Sequence, residues 1–148
     1  MVSHGQDGEL RLGQTVLNGE SLTKFEGEIA GWGSSLDNSG DVLIYGCNVA
    51  ETEVGESFVR RLSELVDADF SASSNITGHA SLRGDWDFEF QVGTVEASAA
   101  FSVLAQQKWD SSLGVVVTAD PLDNIEENTS HDNRGSQQAV AMDDAGNY

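Results

Sequence analysis

At residues 41–47 the chain reads Asp41-Val42-Leu43-Ile44-Tyr45-Gly46-Cys47, and its central residues are continuously apolar. Such a run, rich in β-branched and aromatic residues, predicts a strand that is buried on both faces, as in a parallel sheet. Cys47 is the only cysteine among the 148 residues, so no disulfide bond can form within the chain. A thiol at the carboxyl end of such a strand lies at the edge where open α/β sheets carry their binding sites.

A helix and a second strand are predicted after this run. The apolar stripe of the helix comprises Phe58, Leu62, Leu65 and Val66, and residues 69–73 read as a short strand. Strand, helix and strand joined by short links form a βαβ unit, so the two strands should be parallel with a right-handed crossover.

The region before this unit predicts a hairpin and a helix. Residues 9–12 and 15–17 alternate around Gly13-Gln14, which is a hairpin signal. From residue 21 onwards apolar side chains recur every three or four residues, at Leu22, Phe25, Ile29 and Trp32. This spacing predicts one helix with Ser21 as its N-cap.

The region after the unit predicts a strand, a helix and a domain boundary. Residues 84–92 alternate, with Trp86 and Phe88 on the apolar side, and fit a half-buried strand. Residues 98–113 fit a terminal helix that holds Phe101, Leu104 and Trp109. We therefore predict a domain over residues 1–113, an acidic solvated linker over residues 114–136, and the start of a β-rich repeat over residues 137–148.

The charge of the chain argues against two classes of partner. It carries 25 acidic against 7 basic residues, a net charge of −18. A polyanion such as nucleic acid, or an anionic membrane surface, would be repelled. No apolar stretch reaches the roughly 18 residues that a membrane span needs, so we expect no membrane insertion. Such a balance suits salty or calcium-rich surroundings, where ions screen the self-repulsion.

A candidate nucleophilic pair is formed by Cys47 and His4. The segment Val2-Ser3-His4-Gly5 reads as the end of another buried strand. A free thiol has a pKa of about 8.5, so it needs a base such as an imidazole to become a nucleophile at neutral pH. Backbone N–H groups must also stabilise the developing oxyanion, and a glycine beside the histidine lets the backbone approach closely. The two dipeptides supply these parts if their strands are neighbours.

Less specific interpretations of these residues remain open. Cys47 could be a buried small hydrophobic residue, and His4 a structural loop residue. His79 and His131 have no visible partner and read as surface residues. Metal binding at Cys47 is disfavoured because no second cysteine or spaced histidine pair accompanies it. We expect no cofactor in the domain; residues 143–147 match a calcium loop in composition only, so calcium is expected at most in the repeats.

Six segments together resemble the bacterial domain-of-unknown-function family 4347, and the resemblance covers residues 1–113. They are Val2-Ser3-His4-Gly5, Leu10-Arg11-Leu12-Gly13, Leu43-Ile44-Tyr45-Gly46-Cys47-Asn48-Val49-Ala50, Phe58-Val59-Arg60-Arg61-Leu62, Ala72-Ser73-Ser74-Asn75-Ile76-Thr77-Gly78 and Gly84-Asp85-Trp86-Asp87. That family resembles the caspase-like, clan CD, cysteine peptidases. Its members lie near the N-terminus of very large, repeat-rich, often calcium-binding surface or secreted proteins of cyanobacteria and proteobacteria.

The resemblance implies a fold and a set of site residues. The fold would be α/β, a three-layer caspase-like sandwich with a mostly parallel sheet, and a strand–helix–strand unit expected before His4 would be missing. His4 would be the general base and acid, and Cys47 the nucleophile. The oxyanion hole would be formed by the N–H groups of Gly5 and Cys47. The substrate pocket would be lined by Ser71, Ser73 and Asn75.

Two functions from different classes follow for a module of a large extracellular or cell-surface bacterial protein. One is a cysteine endopeptidase that cleaves its own chain or a neighbouring polypeptide. The other is a non-catalytic structural or adhesive domain of a calcium-binding repeat adhesin, because a fold does not determine a function. A third interpretation, a calcium-dependent repeat protein, depends only on residues 137–148. The sequence leaves open whether the domain is an enzyme.

Overall fold

The computed structural model describes residues 1–37 and 39–114, which form a mixed α/β domain with two three-stranded sheets and four α-helices. The elements are β1 (His4–Gln6), β2 (Glu9–Leu12), β3 (Thr15–Asn18), α1 (Gly19–Lys24), α2 (Glu26–Gly33), β4 (Asp41–Ile44), α3 (Glu53–Val66), β5 (Asp69–Ala72), β6 (Phe90–Val92) and α4 (Val103–Lys108). No helix among these residues is long and apolar enough to cross a membrane. The predicted repeat and, except for Gly114, the linker predicted over residues 114–136 lie outside the described residues.

The first sheet contains the predicted hairpin. Strands β1, β2 and β3 pair antiparallel in that order, and β2 and β3 are joined at Gly13-Gln14. Leu10 lies opposite Leu17 in the register, and both side chains are buried in the core. The alternation of residues 9–12 and 15–17 therefore predicted this part of the fold.

The predicted βαβ unit is also present. Strand β4 is followed by α3 and then by β5, which pairs parallel to β4 with Val42 opposite Phe70 and Ile44 opposite Ala72. Strand β6 adds to β5 antiparallel. On the other side of β4, the Ser3 N–H donates to the Tyr45 carbonyl at 3.0 Å and the Tyr45 N–H donates to the Met1 carbonyl at 2.9 Å. The start of the chain therefore runs beside the Cys47 strand.

The two faces of this second sheet are covered differently. On one face Ile44, Phe70 and Ala72 belong to a cluster with helical residues such as Leu22, Ile29 and Leu62. On the other face Leu43, Tyr45, Cys47 and Leu113 form a second cluster. Half-buried aromatic side chains that lie outside the helices and strands pack against it, namely Trp86, Phe88, Phe101 and Trp109. We call these the helical face and the aromatic face.

The helix predicted from Ser21 is two helices. Asn18, not Ser21, is the N-cap of α1: its side chain accepts from the Ser21 N–H, and the Ser21 hydroxyl accepts from the Asn18 N–H. Ser21 is therefore the third helical residue of a capping box. The helix is interrupted at Phe25, and α2 begins at the next residue. The apolar stripe continues across this interruption, with Leu22 buried on α1 and Ile29 buried on α2.

Two further elements are shorter than the sequence predicts. The strand expected over residues 84–92 is only Phe90–Val92, because Trp86 and Phe88 pack onto the aromatic face from irregular backbone. The terminal helix is only Val103–Lys108. Leu104 is 61% exposed on it, whereas Phe101 and Trp109 lie outside its ends and pack on the aromatic face.

Candidate functional site

The backbone of His4-Gly5 lies directly against that of Gly46-Cys47. A methyl group built on Gly5 would lie 2.6 Å from Cγ2 of Val49 and 3.0 Å from the Cys47 carbonyl oxygen. Real side chains do not tolerate the first of these distances, so only glycine permits this approach. The two dipeptides singled out by the sequence are therefore neighbours at the end of the sheet.

A tight turn places Cys47 at the end of its strand. Asn48 follows in the left-handed conformation with φ of 58°, which asparagine tolerates better than most residues. The Asn48 N–H donates to the Asn75 carbonyl at 2.7 Å, and the Thr77 hydroxyl donates to the Gly46 carbonyl at 3.2 Å. These bonds tie the turn to the chain that follows β5 and fix the position of the thiol.

The thiol of Cys47 is buried and protonated at rest. The side chain is 3% exposed, and its sulfur donates to the Thr77 carbonyl at 3.4 Å. Burial raises the pKa of the Cys47 thiol, while hydrogen bonds with the Leu113 backbone and the Ser112 side chain act in the opposite direction. His4 lies on the exposed side of β1, so its imidazole is open to solvent. An attack by this thiol requires a base to remove its proton.

Two N–H groups converge on one oxygen atom beside the thiol. The Gly5 N–H donates to the Leu113 carbonyl at 3.0 Å, and the Cys47 N–H donates to the same carbonyl at 3.3 Å. These are the two donors that the resemblance assigns to an oxyanion hole. Paired backbone donors aimed at one carbonyl oxygen are the arrangement that stabilises charge developing on that oxygen.

The segment 111–114 lies across the site and is held there by backbone hydrogen bonds and isolated β-bridges. The Leu113 N–H donates to the Thr77 carbonyl at 2.9 Å, and the His79 N–H donates to the Ser111 carbonyl at 3.0 Å. Ser112 pairs antiparallel with Gly78, and Gly114 pairs parallel with Gly5. Backbone bonds on both sides are the way an extended peptide is held when it adds to a sheet edge.

The side chain of Leu113 fills an apolar pocket on the aromatic face. It is 5% exposed and clusters with Leu43, Tyr45 and Cys47. Aromatic rings close this cluster: the Tyr45 and Phe88 rings lie 4.8 Å apart, and the Trp86 and Trp109 rings 5.9 Å apart, between centroids. A pocket with such walls favours an aliphatic side chain over a charged one.

The chain matches the family described as a domain of unknown function, DUF4347, over residues 1–113. It belongs to that family. Comparisons with curated proteins and with solved structures found no match. The DUF4347 match contains His4, Gly5, Cys47 and Leu113, and it ends at the residue whose carbonyl meets the two N–H donors.

The predicted pocket residues of the DUF4347 domain occupy two environments. Ser71 lies opposite Leu43 in the register, so it shares the aromatic face, and its buried hydroxyl has no partner within the described residues. Ser73 and Asn75 instead bind Glu89, with the Asn75 amide 2.9 Å from the carboxylate. The structure therefore places Ser71 near the Leu113 pocket, and the other two in a polar network. Within residues 1–37 and 39–114 no group of His, Cys, Asp and Glu is arranged to hold a metal.

Sequence reasoning missed two residues of this site, Thr77 and Leu113. The carbonyl of Thr77 accepts both the thiol and the Leu113 N–H. The sequence pattern predicts for Leu113 only that the domain ends there. A signal for it existed: a single aliphatic residue between Ser111-Ser112 and Gly114, just before the acidic region.

Proposed function

We propose that this domain is a caspase-like cysteine endopeptidase module of a large extracellular bacterial protein, with Cys47 as nucleophile and His4 as general base and acid. Its substrate is a polypeptide, either its own chain or a neighbour. One observation carries the proposal. The N–H groups of Gly5 and Cys47 both donate to a single peptide carbonyl, that of Leu113, a residue that packs in one cluster with the only cysteine of the chain.

The position of Cys47 in the sheet also supports this proposal. The parallel unit β4–α3–β5 places Cys47 at the carboxyl end of its sheet, and the neighbouring segment ends on His4-Gly5. Sites in open α/β sheets are built at this edge. The three-layer caspase-like arrangement is the finer description that we propose for this mixed α/β domain.

The buried state of the thiol defines what His4 must do. Because burial raises the pKa of Cys47, the sulfur carries its proton at neutral pH. Attack on a carbonyl carbon then needs a base that accepts this proton, and the leaving amine needs an acid that supplies one. Both tasks are assigned to the imidazole of His4, which lies two residues beyond the bridge between Val2 and Tyr45.

A specific observation favours a second candidate, a non-catalytic structural or adhesive module. The Cys47 thiol donates to the Thr77 carbonyl, not to an imidazole, and His4 is exposed. A buried cysteine in such a setting is often an inert small hydrophobic residue. In this candidate the bonds to Leu113 only close the sheet edge.

Alkylation by iodoacetamide separates the two candidates, because Cys47 is the only thiol in the 148 residues. We expect the folded wild-type chain to be alkylated at pH 7 about 100-fold faster than His4→Ala, which is the lower end of the range for general-base assistance. His131→Ala is the matched control and should react like wild type. Equal rates for all three chains would identify a structural cysteine and overturn the enzyme proposal.

A further inference from the structure

We infer that the domain cleaves its own chain at the peptide bond between Leu113 and Gly114. The inference rests on the proposed function and names the substrate for that site. The Leu113 carbonyl oxygen accepts from the Gly5 N–H at 3.0 Å and from the Cys47 N–H at 3.3 Å. This carbonyl therefore occupies the place where a scissile carbonyl must lie for both donors to stabilise its oxyanion.

Gly114, whose nitrogen would leave when the bond breaks, also lies close to the thiol. A methyl group built on Gly114 would lie 3.7 Å from the Cys47 sulfur and equally far from the Ser112 hydroxyl oxygen. Gly114 also pairs parallel with Gly5, the residue whose N–H donates to the Leu113 carbonyl. A nucleophile must contact the bond that it attacks, and this bond has the sulfur on one side and two donors on its oxygen.

The residues before the bond are held as a substrate would be held. Backbone hydrogen bonds join Leu113 to Thr77 at 2.9 Å and Ser111 to His79 at 3.0 Å. Gly78 permits this approach, because a methyl group on it would lie 2.5 Å from the Ser111 carbonyl oxygen. Leu113 fills the apolar pocket and is 5% exposed. The residue before the scissile bond is thus selected for an aliphatic side chain.

The proposed reaction balances with one water molecule as co-reactant. The Cys47 sulfur bonds to the Leu113 carbonyl carbon while its proton passes to His4, and the oxygen becomes an oxyanion held by the two N–H groups. The bond to the Gly114 nitrogen then breaks, and His4 returns the proton to that amine. This step leaves a thioester between Leu113 and Cys47.

Water completes the turnover. His4 removes a proton from a water molecule, which adds to the thioester carbonyl, and the Cys47 thiolate leaves and is reprotonated. The products are a carboxylate on Leu113 and, with the proton that this acid releases, an ammonium group on Gly114. Their formation consumes one water molecule and requires no oxidant or reductant.

Intact-mass spectrometry of the full 148-residue chain tests the bond directly. We expect wild type to yield fragments 1–113 and 114–148 over time, and Cys47→Ala to yield neither. Leu113→Lys should slow cleavage by at least about 100-fold, because a charge has no partner in an apolar pocket. Leu104→Lys is the matched control: it makes the same change at a side chain that is 61% exposed, and cleavage should be unchanged.

A conservative variant guards against misfolding of Leu113→Lys. Leu113→Met preserves volume and apolar character, so we expect it to cleave within about tenfold of wild type, with circular dichroism confirming the fold of each chain. Loss of cleavage in Leu113→Lys and Leu104→Lys alike would overturn the role of the pocket.

Iodoacetamide rates measured on the same samples separate failure of this inference from failure of the proposed function. Cleavage at another bond that depends on Cys47, or His4-dependent alkylation without any cleavage, would overturn the Leu113–Gly114 site and keep the enzyme. No cleavage together with alkylation that is insensitive to His4→Ala would overturn both.

Discussion

The helical face and the aromatic face of the second sheet are built by different means. On the helical face, aliphatic side chains of α3 such as Leu62 and Val59 are buried to zero exposure. The aromatic face is covered by half-buried rings on irregular backbone, and Tyr45 holds that backbone by accepting the Ala100 N–H at 2.7 Å. Stability can therefore reside largely on one face, while the other carries the site.

The difference has a physical reason. Close-packed helices present side chains, and their backbone N–H and carbonyl groups are consumed internally. Irregular chain has free backbone groups that can bind an extended peptide, as Thr77 and His79 bind the segment 111–114. A groove for a polypeptide is accordingly expected on the aromatic face.

The largest stability loss should come from breaking the helical face. Leu62→Ala removes a fully buried side chain from α3, and we expect a loss of about 2–5 kcal/mol in the free energy of unfolding. Phe88→Ala removes a half-buried ring from the aromatic face and should cost less, about 1–2 kcal/mol. Urea unfolding measures both. A larger loss for Phe88→Ala than for Leu62→Ala would reverse the comparison.

A smaller loss, located at the site, is expected for Gly5→Ala. The added methyl group would lie 2.6 Å from Val49 Cγ2, so the backbone must shift and the Gly5 N–H must leave the Leu113 carbonyl. We expect a stability loss of about 1–3 kcal/mol, as for overpacking, together with loss of Cys47-dependent cleavage.

Gly27→Ala is the matched control for Gly5→Ala. Nothing lies within 4 Å of a methyl group at this position in α2, and alanine favours a helix over glycine by about 0.5–1 kcal/mol. We expect a slight gain in stability and unchanged cleavage. Equal stability and equal cleavage in the two variants would show that the close approach of Gly5 to Val49 determines neither property.

The parts of the fold that could be predicted from sequence are the elements in which apolar residues recur at the spacing of a helix or a strand. The apolar run ending at Tyr45 and the stripe containing Phe58 and Leu62 specify β4, α3 and their parallel partner, because burial repeats with the period of each element. The break at Phe25 could not be predicted in this way, because the apolar stripe continues across it.

The site could be predicted only in part for a related reason. The Cys47 and His4 segments carry recognisable dipeptides, and the structure places their backbones together. The seating of Leu113 depends on backbone bonds to Gly5 and Thr77, which lie 108 and 36 positions away in the chain. Such backbone bonds join distant segments and leave no period in the sequence, so hydrophobic periodicity does not predict them.

A modest loss is expected where the loop after β1 meets α3. The Asp7 carboxylate accepts from the Thr52 N–H at 2.9 Å and from the Gly55 N–H at 3.1 Å, at the positive end of the helix dipole. We expect Asp7→Ala to cost about 0.5–2 kcal/mol, as for loss of a helix cap. Asp7→Asn retains one oxygen acceptor and should cost less. Thermal unfolding would contradict this interpretation if the two variants were equally unstable.

The smallest effect should appear as a dependence of stability on pH. Burial raises the pKa of Cys47 above its ordinary value of about 8.5, so the unfolded chain loses the thiol proton first. The thiol therefore costs no stability below that pH, and stability is lost as the pH rises from there through the folded-state pKa. Urea unfolding of wild type between pH 7 and 10 should show a steeper decline than that of Cys47→Ala. All other titrating groups are common to both chains, so parallel curves would mean that the thiol is not buried in solution, and that the Leu113 segment does not cover it.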